Sequence, residues 1–474
     1  MTYGSIIRAA VRQAPESIEV IDPATEEVLD TVACASVEDC LEAVDAASAA
    51  FPAWASTSPR ERGEILRGAF ERKRDRRDEL ARLIADENGK TLRDALGEVD
   101  YAAEFFRWFS EEAVRIGGEL RPAPGRDKQI ATMRQPIGVA LLITPWNFPA
   151  AMATRKLAPA LAAGCCTVLK PASATPLTAF AVAEILAEAG LPDAVVNVVC
   201  PSPPGPAVAA MMAHPKLRTV SFTGSTEVGS QLLEQAARGV LRCSMELGGN
   251  APFIVYGDAN VDAAIEGALV AKMRNGGASC IAANRFYVDR SIAPEFTEGL
   301  TQAMAGLAPI DPGDDGPGLG PLVSRAERDR VSALVSEAVS DGARPLTGGA
   351  PLDRAGYFYA PTVLVDVDPE APILSEEIFG PVATVVAFDR EEEALAMANA
   401  TDLGLAAYAF TRDLAKGMRA AQALEAGIVG LNRGFVSDPA APFGGVKRSG
   451  LGREGGREGI DEFLETKYVA MSWD

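Results

Sequence analysis

The sequence predicts an α/β protein made of two units with parallel sheets and a small strand-rich arm. Three observations predict it. From residue 138, apolar strand-like runs alternate with segments of helical periodicity, the pattern of a parallel sheet with crossover helices. A second alternation of the same kind starts near residue 247. Between a helix-rich first third and the first alternation, residues 117–136 (GGELRPAPGRDKQIATMRQP) mix turn formers with short strand-like pieces. A chain of 474 residues, 48% hydrophobic, exceeds one compact core and suggests about two to three domains.

In chain order, the segments near 37–51, 60–88 and 92–115 carry apolar residues at helical spacing, such as Val37, Leu41, Val44 and Ala47, or Ile65, Leu66, Ala69 and Phe70. Strands follow at 138–144, 166–170, 194–200 and 218–223, with helices near 149–163, 176–189, 206–213 and from about 226. On such sheets a cofactor lies beyond the carboxyl ends of the strands. The loops there are 145–149, 170–173 and 224–226. The second unit holds strands at 252–256 and 286–288, a helix near 260–274, and later strands near 382–388, 407–411 and 427–431. The chain ends in a Gly-rich stretch, 443–456, and a strand-like tail, 465–471. These elements divide the chain into a first unit (1–116 and 137–245), a second unit (246–440), and an arm with tail (117–136 and 441–474).

Composition narrows the function. The formal charge is −20 and the pI about 4.7, so the basic face of a nucleic-acid binder is not expected. Residues 71–79 carry five positive and four negative charges, which nearly cancel and read as a solvated helix face. No run of about 18 apolar residues suggests a membrane span. The first twenty residues hold no apolar core of signal-peptide length, and a cytoplasmic location is expected. Seven cysteines (34, 40, 165, 166, 200, 243 and 280) without a C-x-x-C, and one histidine, His214, argue against a disulfide framework and against a metal site.

Several residues carry chemistry. Cys280 ends the run 274–280 (RNGGASC), where glycines present a thiol on a tight turn, and a thiol is the strongest ordinary nucleophile near neutral pH. Glu246, in 245–250 (MELGGN), is a carboxylate among apolar residues and glycines, suited to a general base. Asn147 offers a neutral amide donor for an oxyanion. Gly224 and Ser225 open a helix after a strand, a place for a pyrophosphate. Lys170 and Ser173 end the second strand. A serine there omits the charge that repels a 2′-phosphate, and the lysine adds attraction.

These pieces occur in one order: 145–149 (PWNFP), Lys170-Pro171, 222–226 (FTGST), 246–249 (ELGG), Cys280, 376–381 (EEIFGP) and 442–445 (PFGG). Together they resemble the aldehyde dehydrogenase superfamily, from about residue 20 to the end. The resemblance implies the aldehyde dehydrogenase-like α/β fold, with 1–116 and 137–245 as a Rossmann-like dinucleotide-binding domain, 246–440 as an α/β catalytic domain, and 117–136 with 441–474 as an oligomerisation arm and C-terminal tail. It implies Cys280 as nucleophile, Asn147 with the Cys280 N–H as oxyanion hole, and Glu246 as the base for the deacylating water. It places Lys170 and Ser173 at the adenosine ribose, Gly224 and Ser225 at the pyrophosphate, and Glu377 and Phe379 at the nicotinamide end. Thr144, Trp146 and Leu247 complete the cofactor set. It implies NADP ahead of NAD as cofactor, no metal, and a homodimer or homotetramer.

Within the superfamily the chain is similar to succinate-semialdehyde dehydrogenases through 245–253 (MELGGNAPF), 284–286 (NRF), 450–455 (GLGREG) and Lys467-Tyr468. That similarity puts Arg155 and Arg274 on a substrate carboxylate, which guanidinium groups bind in a fork. Ser437 assists them, and Phe148 and Phe443 line the substrate site. The alternatives are glutarate semialdehyde or an uncharged aliphatic aldehyde. Departures are Ala278 in place of the usual Gln, Ala282 in place of a second Cys, and Arg433 in a loop that often holds a small or acidic residue. A cysteine hydrolase needs a base beside Cys280, and only His214 is available. A non-catalytic dinucleotide binder is disfavoured by the joint presence of Cys280, Glu246 and Asn147.

Overall fold

Parallel strands covered on both faces are apolar along their whole length, and here they form the floor of the molecule. The computed structural model describes residues 5–7, 10–12, 14–314 and 316–472, so the sequence limits at 1 and 474 fall outside the described residues. Strands Val139–Ile143, Cys166–Lys170, Val196–Val198, Leu217–Thr223 and Arg242–Glu246 run parallel in one eight-stranded sheet. Val139–Ile143 lies at its centre, with Cys166–Lys170 on one side and Leu217–Thr223 on the other. The order therefore reverses around that strand, and the crevice at such a switch point is where an α/β sheet takes a ligand.

Helix Pro149–Ala163 follows the central strand. Proline starts it, Gly164 ends it in the left-handed region (φ 97°), and all of its residues are buried. The first third is helical as expected, but the predicted helix 60–88 is two helices, Pro59–Asp75 and Arg77–Asn88, parted at Arg76. Lys73, read as part of a solvated face, is fully buried. A hairpin of Ser17–Ile21 with Val28–Ala33, a strand Thr362–Val365, and helices Ala293–Ala305 and Arg325–Ser340 add to the elements read from the sequence.

The chain crosses to the second sheet at 247–250. There Ala251–Val255 pairs in parallel with Ala283–Asp289 and Ala406–Phe410. Val382–Phe388 and Ile428–Leu431 extend it, and Ile428–Leu431 forms one edge. Residues 117–136 supply Glu119–Pro122 and Gln129–Pro136, which join Leu464–Met471 in a three-stranded antiparallel sheet. The Gly-rich stretch before that tail returns to the first sheet, where Gly450–Leu451 pairs with Arg242–Glu246. Among the described residues no helix is long and apolar enough to cross a membrane.

Candidate active site

The loops at the switch point and the start of the second unit enclose a cavity of about 1110 Å³. Trp146, Asn147, Phe148, Arg155, Gly224, Ser225, Leu247, Arg274, Cys280, Glu377, Phe379, Ser437 and Phe443 all face it. Residues separated by up to 297 positions, Trp146 and Phe443, thus meet at one site. Tyr101, Met152 and Arg330 also line it and were not singled out in the sequence.

Cys280 follows helix Val261–Met273 through a turn that only particular residues tolerate. Asn275, Gly276 and Gly277 are left-handed, with φ of 54°, 62° and 79°. A Cβ on Gly277 would run into the Gly380 carbonyl. Burial, then the nearby Glu377 charge, push the Cys280 thiol up to about 12, while Arg155 pulls it down. Asn147 stands across from this turn, with Nδ2 donating to the Ala278 carbonyl at 3.2 Å. Its second amide hydrogen remains for another acceptor.

Glu246 ends strand Arg242–Glu246 and is buried without a hydrogen-bond partner on either oxygen among the described residues. Burial and the Glu454 carboxylate hold its pKa well above the ordinary carboxylate value. A Cβ at Gly444 would lie 2.9 Å from Oε1 and crowd the carboxylate; Phe443, next to Gly444, is on the cavity wall, whereas Glu246 itself is not. Behind it, Lys156 Nζ donates to Glu454 at 2.5 Å and to Ser221 at 2.8 Å. Neither Lys156 nor Glu454 was singled out in the sequence. The available signal was two adjacent cations, Arg155 and Lys156, in an otherwise apolar helix.

The two arginines are not equivalent. Arg155 is spoken for: Nη2 donates to Tyr101 Oη at 2.7 Å, Nη1 is 3.7 Å from Glu454, and the guanidinium lies 4.1 Å from the Phe443 ring centre. Arg274 has no acidic partner among the described residues. It donates to Ser437 Oγ at 3.2 Å and lies between the Phe148 and Phe435 rings at 5.0 and 4.9 Å. Arg433 is exposed and donates to its neighbour's carbonyl, that of Phe435, at 2.6 Å.

At the other end, Trp146 and Phe379 meet edge to face at 5.2 Å. Phe379 is left-handed (φ 53°), and Arg330 fixes that bend by donating to the Glu377 and Ile378 carbonyls at 2.9 Å each. Glu377 accepts from the Gly249 N–H at 3.2 Å, and burial pushes it up to about 7. Ser225 caps helix Thr226–Gly239, leaving free N–H groups of its first turn at the cavity wall. Thr144, Lys170 and Ser173 lie outside that wall. Thr144 donates through its N–H to the Lys170 carbonyl at 3.2 Å, and Lys170 is buried at the end of its strand. His214 is 3.6 Å from Asp45 and is not on the cavity wall, so no Cys–His pair assembles with Cys280. The cysteines are all free, and no cluster of three or more His, Cys, Asp or Glu suited to a metal occurs among the described residues.

Residues 10–469 match the aldehyde dehydrogenase family, and the chain belongs to that family. It is 52% identical over 445 residues to the succinate-semialdehyde dehydrogenase of Paenarthrobacter nicotinovorans, spanning 94% of this chain and 99% of that one. It is 46% identical over 457 residues to the glutarate-semialdehyde dehydrogenase of Pseudomonas putida, spanning 96% and 95%. An Escherichia coli crystal structure described as an NADP-dependent enzyme matches with a TM-score of 0.98 at 46% identity, covering 100% of this chain and 98% of that one. The family resemblance in the sequence and the fold it implied are thereby established.

Proposed function

We propose that this enzyme oxidises succinate semialdehyde to succinate with NADP or NAD. The observation that carries the substrate is Arg274. It is a guanidinium without an acidic partner among the described residues, lying in the same cavity as the Cys280 thiol and held by Ser437. A charge in a partly enclosed cavity is costly unless a counter-charge meets it. A carboxylate at the far end of a short aldehyde supplies that charge. Arg155, braced by Tyr101 and Glu454, shapes the same end and contributes to the positive field. The names of the relatives point the same way, and glutarate semialdehyde, one methylene longer, is the second reading.

A dinucleotide fits the rest of the cavity. Gly248 has no side chain between Glu377 and Thr226, where a Cβ would come within 3.0 and 3.2 Å, and the capped helix start at Ser225 suits a pyrophosphate. Lys170 and Ser173 lie outside the cavity wall; their assignment to the adenosine ribose rests on the family resemblance, and neither is an acid that would repel a 2′-phosphate. The E. coli neighbour described as NADP-dependent agrees. When bound, the oxidised nicotinamide accepts the hydride.

Cys280 releases its proton to solvent, a loss that the Arg155 charge favours against burial, and the thiolate adds to the aldehyde carbon; the carbonyl oxygen becomes an oxyanion that Asn147 Nδ2 and the Cys280 N–H stabilise. Loss of hydride from that carbon leaves a thioester on Cys280. Glu246 takes a proton from water as the oxygen attacks the thioester. The acid leaves and the Cys280 thiolate is restored. The exposed Leu120, Met133 and Tyr468 of the arm sheet support a homo-oligomer. The free cysteines agree with a reducing cytoplasm.

The test is the initial rate of NAD(P)H formation with succinate semialdehyde, glutarate semialdehyde and butanal. Succinate semialdehyde should exceed butanal in kcat/KM by more than about tenfold (roughly 1.4 kcal/mol), and Arg274→Leu should remove that preference while butanal turnover persists. Equal rates for butanal in the parent enzyme would make Arg274 structural and sink the substrate assignment.

A further inference from the structure

We infer that Lys90 and Glu98 are positioning residues for Asn147, forming a buried ionic bracket that aims the oxyanion donor. Both side chains are shut off from solvent. Lys90 Nζ donates to Glu98 Oε2 at 2.5 Å and to the Asn147 carbonyl at 2.7 Å, and it lies 4.3 Å from the centre of the Phe148 ring. The other Glu98 oxygen accepts from the N–H groups of Ala150 and Ala151 at 2.8 and 3.2 Å. It thereby satisfies the start of the helix that follows Asn147, where a carboxylate also meets the positive end of the helix dipole.

The same stretch of chain reaches both sides of the reacting centre. Asn88 Nδ2 donates to the Trp146 carbonyl at 2.9 Å, and Asp94 accepts from the Asn275 N–H at 3.1 Å. Asn275 Nδ2 in turn donates to the carbonyls of Asn147 and Ala278 at 2.8 and 3.0 Å. Residues 88–98 therefore tie the oxyanion loop to the nucleophile turn. A buried ion pair adds little stability over apolar residues of the same volume. What apolar residues cannot do is fix the direction of the Asn147 carbonyl and, with it, the path of the side chain to Nδ2. A displacement of about 1 Å in a catalytic group costs up to on the order of 100-fold in rate.

This inference rests on the oxyanion role given to Asn147, and a double-mutant cycle separates the two. The paired variant Lys90→Met with Glu98→Gln removes both charges of the bracket, and it is made and compared in a Lys73→Met background because Glu98 is also the charge that opposes the burial of Lys73. It should lower kcat with succinate semialdehyde by about 10- to 100-fold. In an Asn147→Ala background the same pair should change kcat by less than about twofold, because the donor it aims is gone. Alkylation of Cys280 by iodoacetamide forms no oxyanion, and its rate should stay at the parent value, as should NADP affinity by calorimetry. If the paired variant is too unstable to assay, Lys90→Arg replaces it. That change keeps the charge on Glu98 but alters the donor to Asn147, and the same coupled loss is expected. Full loss in the Asn147→Ala background, or alkylation that slows in step with kcat, overturns the bracket. Near-parent turnover of Asn147→Ala alone overturns the oxyanion reading instead.

Discussion

Glu246 shows how one residue's surroundings set its chemistry. Its carboxylate has no partner on either oxygen, and burial with Glu454 raises its pKa. A raised pKa makes a stronger base, but only the ionised form can take a proton from water. Turnover limited by thioester hydrolysis should therefore climb as pH rises through that pKa, on a limb lying above the ordinary carboxylate value of 4.5. Glu246→Gln removes the base and keeps the shape. Rapid mixing should show one NADPH formed per site, followed by steady turnover slower by about 10²–10⁴-fold, with the thioester visible by intact mass. An unchanged steady rate and pH limb would remove Glu246 from the mechanism. The sequence points to the burial of Glu246, because it sits amid glycines and apolar side chains; the role of base comes from the family resemblance. Lys90, Glu98 and Glu454 were not legible there, because their meaning lies in distant contacts: Glu454 meets Lys156 across 298 positions.

At the scale of elements, the parallel strands were legible to within two or three residues at their ends, because burial on both faces leaves uninterrupted apolar runs such as 139–143 and 166–170. The Ser17–Ile21 hairpin was not, since Glu19 and Asp30 interrupt its apolar pattern. The break at Arg76 carries neither Gly nor Pro to announce it. The charge run 71–79 misled in a specific way. Lys73 on helix Pro59–Asp75 faces inward against helix Leu92–Glu112, and its Nζ has no hydrogen-bond partner among the described residues. Burial lowers its pKa from 10.5 to about 8, with Glu98 opposing, a penalty of roughly 3 kcal/mol for the charged form. Below pH 8 both folded and unfolded chains carry the proton and the penalty is full. Between about 8 and 10.5 the folded chain sheds it first and the penalty fades. Lys73→Met should therefore stabilise the protein by about 2–3 kcal/mol at pH 7, and the gain should shrink at pH 9.5 in parallel urea titrations. A destabilised variant, or a gain that does not depend on pH, would show that Lys73 has a partner of its own.

On the scale of the whole molecule, the arm sheet is the part a single subunit explains least. Leu464–Met471 pairs along its full length with Gln129–Pro136, and Glu119–Pro122 lies on the far side. The register sets Leu120 opposite Ala131, so Leu120 and Met133 stand on one face. They are 64% and 54% exposed, and two large apolar side chains on one face of a three-stranded sheet are candidates for a contact surface. The second sheet ends at Ile428–Leu431, an open edge to which another chain's strand can add. The proposed second copy would meet both needs at once, covering the apolar face and completing an edge. Light scattering on the parent enzyme should return the mass of a dimer or tetramer. Leu120→Glu with Met133→Glu places charge on the proposed contact and leaves the strand hydrogen bonds intact, so it should halve that mass or reduce it further. The catalytic cavity lies elsewhere, and each released subunit keeps Cys280, Glu246 and Asn147 in place. Its active-site titre by iodoacetamide should stay at one thiol per chain protected by NADP. A parent that is monomeric, or a charged variant that assembles unchanged, rules out the arm as the assembly surface.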